Sequence, residues 1–109
     1  MSAERMRRVD EAVREVLSEA IKELKDPRVG FVTVTEVRTS TDLRHARVWV
    51  SVLEGPGPTL DGLESARGFL QGRVGAELRM KRTPALRFLH DDTAERAARL
   101  EQRLGSEPA

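Results

Sequence analysis

The sequence predicts an α+β fold in which helices pack on one face of a three-stranded sheet. In two long segments apolar residues recur at three- and four-residue steps. Of two shorter segments between them, the first is rich in Val, Thr and Phe and the second alternates apolar with polar residues. The predicted order is helix, strand, strand, broken helix, strand and short helix. Because a helical connection precedes the third strand, that strand can join the same sheet with the helices on one side.

The composition indicates one ordered domain. The chain has 109 residues, of which 39% are apolar and 34% charged, and the apolar ones fall in periodic segments. It has no cysteine, which excludes disulfides and thiolate chemistry. Apolar runs long enough for a membrane span or a signal peptide are absent, so we expect a cytoplasmic protein without membrane contact. The domain, residues 1–109, is predicted to have its core at about 4–90 and a short C-terminal helix and tail at 92–109.

The first half of the chain is predicted to form a helix and a hairpin. One stripe of the segment Glu4–Leu24 is apolar and the opposite face is charged, and Pro27 disfavours helical geometry just beyond it. Phe31–Arg38 and His45–Leu53 have the composition of strands. The polar loop between them is short, which predicts antiparallel pairing.

The second half begins with Gly55–Pro58, which is predicted to be a connecting loop. The helical pattern that follows is expected to open with a cap at Thr59 or with the pair Asp61 and Glu64. Leu86–Leu89 is long enough for a short third strand. Asp92 and Glu95 then resemble a capping box for a last short helix that ends near Gly105.

Two glycine-containing sites are alternatives for the break in the second helical segment. Gly72-Arg73-Val74-Gly75 has the G-x-x-G spacing that KH domains use to clamp a nucleic-acid backbone, but the same glycines also permit close helix packing. The apolar periodicity continues across them, which favours an earlier break at Ala66-Arg67-Gly68. The residues alone leave both open.

The residues do not predict an enzyme. His45 lies on the polar side of its strand, and Asp92 in His90-Asp91-Asp92 is better explained as a helix cap. Neither a nucleophile elbow nor a phosphate-loop motif is present. We therefore expect no catalytic residues, no metal site and no cofactor.

The charge pattern permits nucleic-acid binding. Between Thr59 and His90 there are six basic and three acidic residues, an excess typical of phosphate-binding surfaces and also of solvated helices. Trp49 could stack on a base or pack against a helix. The predicted phosphate contacts are Arg67, Arg73, Arg79, Lys81, Arg82 and Arg87, with Arg5, Arg7 and Arg8 as a second cluster.

Several stretches, in this order and at these spacings, resemble the ribosome-binding factor A family. They are Arg5–Glu11, Glu23–Gly30, Val32–Val37, Asp42–Val52 and Pro84–Phe88. The resemblance implies a KH-like, type II-like domain in which an Ala-x-Gly kink, here Ala66 to Gly68, replaces the usual G-x-x-G.

The resemblance also implies a function. It is that of a bacterial, non-catalytic assembly factor that binds the free 30S subunit and its 16S rRNA, assists late maturation and rRNA processing, and is associated with cold adaptation. We expect a monomer. The alternative is a protein-interaction module that uses the charged face of the first helix to contact ribosomal proteins or other assembly factors.

Overall fold

The structure, a computed structural model, describes residues 2–53 and 55–106, with side chains described as far as Gln102. Seven elements follow one another along the chain: α1 (Ala3–Lys22), β1 (Val32–Thr39), β2 (His45–Val52), α2 (Pro56–Ser65), α3 (Arg67–Glu77), β3 (Ala85–His90) and α4 (Thr93–Ser106). This confirms the predicted α+β order and its broken helix. Met1, Glu54 and the last three residues of the predicted tail lie outside the described residues.

The sheet has the strand order β1-β2-β3. The predicted β1–β2 hairpin is antiparallel, with a bulge between Val34 and Glu36. β3 pairs in parallel with β2. A parallel partner needs a crossover connection, and α2 and α3 provide it.

The core lies between one face of the sheet, the core face, and helices α1, α2 and α3. Alternate residues of β2 are buried, as its period-two pattern predicts. The core consists of Val13, Leu17, Ala20, Ile21, Val34, Val37, Ala46, Val48, Val50, Val52, Leu63, Leu70, Val74 and Leu86. Among the described helices none is long and apolar enough to cross a membrane.

The prediction of a loop at Gly55–Pro58 is wrong, because α2 begins at Pro56. Proline suits a first helical turn, where its missing N–H would have no partner in the helix. Gly55, with a φ of 28°, precedes the helix. Thr59 is therefore not a cap; it is buried within α2 and donates its hydroxyl to the Arg28 carbonyl at 3.2 Å.

The capping box predicted for α4 is also wrong in its residues. In the described part of the chain, the carboxylate that accepts a backbone N–H at this helix start is Asp91, 2.9 Å from the Thr93 nitrogen. Asp92 instead pairs with Arg96 at 3.0 Å, and Glu95 faces His90 at 3.5 Å. Asp92 thus forms an ion pair at the start of α4, and Glu95 connects α4 to the end of β3.

Candidate nucleic-acid interface

The break in the second helical segment lies at Ala66. Its φ of −91° and ψ of 4° depart from helical values, and its N–H is shared between the carbonyls of Gly62 and Leu63, each at 3.1 Å. The Gly72–Gly75 segment lies inside α3. Ala66 is the N-cap of α3 and provides no side-chain hydrogen bond to it.

A wide groove of about 930 Å³ lies at the end of the sheet where β2 and β3 begin. Its lining includes the predicted contacts Arg67 and Arg87. It also includes Arg38 and Arg47, which the sequence did not predict as phosphate contacts. The alternation of β2 placed Arg47 on the polar side of its strand. Its alignment with β3, however, depends on a parallel register that local sequence does not specify.

The α3–β3 turn carries three more of the predicted residues, Arg79, Lys81 and Arg82, all exposed. Within the described residues none of them forms an ion pair. Ala85, which lines the large groove, is three residues beyond Arg82, so their Cα atoms are at most about 11 Å apart. This bound places Arg82 near the groove, although none of the three residues lines it.

The start of α1 carries the second predicted cluster. Arg7 and Arg8 both pair with Glu4, at 2.8 and 3.6 Å, and the hydrogen bond from Arg7 lowers the pKa of Glu4. Arg5 is exposed, and its backbone N–H is capped by Ser2 at 3.2 Å. Such exposed pairs contribute little to stability, so these guanidinium groups can exchange partners at small cost.

Arg7 connects this cluster to the groove. It lines a smaller groove of about 450 Å³ between α1 and β1, together with Met6, Asp10 and Arg38, which also line the large groove. The Asp10 carboxylate accepts the Thr39 N–H at 2.8 Å and so holds the end of β1 against α1. The start of α1 thus borders the same basic region.

Arg73 pairs with residues that do not line the large groove. Its guanidinium pairs with Glu23 of the α1 end at 2.5 Å and with Glu77 at 3.7 Å, and it lies 5.8 Å from the Phe69 ring centroid. The hydrogen bond that Arg73 donates to Glu23 raises the pKa of Arg73. These contacts tie α3 to the end of α1.

The contacts of the two histidines involve the backbone of His45 and the side chain of His90. The backbone N–H of His45 donates to Ser40 Oγ at 3.0 Å, and His90 faces Glu95. Among the described residues there is no group of three His, Asp or Glu side chains placed to hold a metal ion. The arrangement at the sheet end favours binding of a polyanion, because cations outnumber acids around an open groove.

The chain is similar to known proteins of one family. The family model of ribosome-binding factor A matches residues 5–104. A ribosome-binding factor A of Rubrobacter xylanophilus is 45% identical over 95% of this chain and 88% of its own length.

Two solved structures carry the same family name. A crystal structure of ribosome-binding factor A from Thermus thermophilus superposes with a TM-score of 0.74 at 30% identity, covering 78% of this chain and 94% of its own. A homology model of the T. thermophilus factor, fitted into the cryo-EM map of a 30S complex, has a TM-score of 0.69 at 31% identity, covering 77% of this chain and 92% of its own.

Proposed function

This chain belongs to the ribosome-binding factor A family, and from that membership we propose that it binds the free 30S subunit through 16S rRNA and assists its late maturation. The observation that carries the RNA contact is the basic region at one end of the sheet. There Arg67 and Arg87 line an open groove. The exposed cations of the α3–β3 turn, Arg79, Lys81 and Arg82, are further candidate contacts. The fitted T. thermophilus complex supports the choice of subunit.

In this proposal the protein acts by binding and not by cutting RNA. A ligand shifts a conformational equilibrium by the difference in its affinity for the two states. The factor would hold an immature arrangement of the rRNA, permit processing by other enzymes, and leave once mature contacts compete for its surface. We place it in the cytoplasm as a monomer acting as one KH-like domain, with growth in the cold as the condition that needs it most.

Co-sedimentation with purified 30S subunits tests the proposal. Replacing Arg79, Lys81 and Arg82 together by alanine should weaken binding and flatten its salt dependence, since each phosphate that is no longer neutralised removes about 0.7 to 0.9 from the slope of log affinity against log salt. The matched control is Lys22→Ala, which removes an exposed cation paired with Glu19 on α1. That variant should sediment with the subunit like the parent protein.

The contrary results are distinct. Failure of the parent protein to sediment with 30S subunits would overturn the proposal. Binding that is unchanged by salt and by the triple substitution, yet abolished when exposed charges of α1 such as Glu15 and Glu19 are replaced, would favour the protein-interaction module instead.

A further inference from the structure

The face of the sheet opposite the core, the open face, carries a row of three arginines. Arg38 pairs with Arg47 across β1 and β2, and Arg47 pairs with Arg87 across β2 and β3. Paired residues project to the same side of a sheet, and all three side chains are exposed. Strands lie about 4.8 Å apart, so this arginine row spans about 10 Å.

Repulsion between the charges of this row lowers the stability of the protein when no ligand is bound. Like charges directly opposite each other destabilise a sheet. Glu36 offsets one of them through a 2.8 Å hydrogen bond from Arg38. Within the described residues Arg47 and Arg87 have no carboxylate partner. An anion with regularly spaced charges would relieve this repulsion.

Trp49 adds a flat apolar surface beside the row. It lies two residues after Arg47 on the same face of β2, and the Arg47 guanidinium carbon is 5.3 Å from its ring centroid. The indole is partly exposed, and on its other side it borders a small groove whose charged residues are Glu36, Asp91, Asp92 and Arg96. On the side of the arginine row, an aromatic ring beside a guanidinium group is a combination that binds single-stranded nucleic acid, through base stacking and phosphate contacts.

We propose that the RNA-binding surface continues from the large groove over the open face of the sheet, where a single-stranded segment crosses the arginine row and one of its bases stacks on Trp49. The inference rests on the proposed function and deepens it, since Arg87 is the only one of the three arginines that the sequence predicted as a contact. An acidic polypeptide would match the charge of the row but has no base to place on the indole.

The fluorescence of Trp49 tests this directly, because it is the only tryptophan in the chain. Titration with a short oligouridylate should change the emission. Replacing Arg38, Arg47 and Arg87 together by alanine should lower the salt slope by about 2, at about 0.7 per phosphate on a single strand. With dye-labelled RNA, Trp49→Leu should weaken binding about tenfold, whereas Trp49→Phe, which retains a stacking ring, should bind nearly like the parent.

Controls separate binding from folding. The triple variant should unfold at or above the temperature of the parent protein, since it removes repulsion, and Lys22→Ala should leave RNA binding unchanged. The inference is overturned by an unchanged Trp49 emission, by an equal response to polyglutamate of the same charge, or by full RNA affinity in the triple variant. If 30S co-sedimentation persists in any of these cases, the open-face inference fails while the proposed function stands.

Discussion

Arg79, one of the proposed RNA contacts, has an unusual backbone conformation. Its φ is 52°, and the Met80 N–H after it bonds to the Gly75 carbonyl at 3.0 Å, which is the pattern of a helix C-terminus closed by one left-handed residue. Glycine is the usual residue there because a side chain raises the energy of this conformation. The backbone at this position therefore favours glycine over the arginine that occupies it.

We expect Arg79→Gly to separate these two properties. The substitution should stabilise the fold by up to about 1 kcal/mol, after the gain in unfolded-state entropy is subtracted, and raise the unfolding temperature by a few degrees. The same variant should bind the 30S subunit more weakly. Thermal unfolding and co-sedimentation measure the two effects, and Arg79→Ala, which keeps the strain, is the control. Equal or lower stability in Arg79→Gly would contradict this account.

At the scale of elements, the glycines of α2 and α3 have different roles. A Cβ at Gly62 would lie 2.6 Å from the Val29 Cγ2, so α2 approaches the segment after α1 too closely for a larger residue. A Cβ at Gly72, in the middle of α3, would meet nothing within 4 Å. The first glycine allows packing, whereas the second only lowers helix propensity.

We therefore expect opposite effects from two matched substitutions. Gly72→Ala should stabilise the protein by about 1 kcal/mol through helix propensity. Gly62→Ala should destabilise it by about 1 to 3 kcal/mol, because Val29 must move away. Denaturant unfolding of the two variants measures both. If Gly62→Ala were as stable as Gly72→Ala, α2 would not pack as closely as described.

At the scale of the whole molecule, Asp91 joins three parts of the fold. Its carboxylate accepts hydrogen bonds from Thr93 at the start of α4 and from Thr35 in the β1 bulge, the latter at 2.7 Å. Hydrogen bonds from the Thr93 side chain, the Thr35 side chain and the Thr93 backbone lower the pKa of Asp91 to about 2. The folded state thus favours the ionised carboxylate.

We expect this contribution to be present above about pH 4, the ordinary value for an aspartate, and to disappear as pH falls towards about 2. Asp91→Asn should be less stable than the parent at neutral pH, and the difference should shrink across that window. Thermal unfolding at a series of pH values measures it. Asp92→Asn, which removes only an exposed pair with Arg96, is the control and should change little. A difference that is constant with pH would contradict the assignment.

The sequence predicted features that depend on one short segment, but not those that depend on how distant segments pack. Periodicity predicted the order of helices and strands and the buried face of β2, because burial is recorded in each strand's own alternation. The start of α2 was missed because proline and glycine interrupt strands and also open helices. The meeting of Arg47 with Arg87 was missed because strand register follows from how α2 and α3 pack, which no short segment records.

The parallel pairing of β2 with β3 also governs the order in which the chain can fold. Residues 53–84 separate the two strands, so closing this loop costs more entropy than forming the β1–β2 hairpin, whose strands are joined by a short turn. During synthesis β3 is the last strand to leave the ribosome, and Arg87 travels with it. A nascent chain therefore lacks the complete arginine row until β3 has been synthesised and has paired with β2.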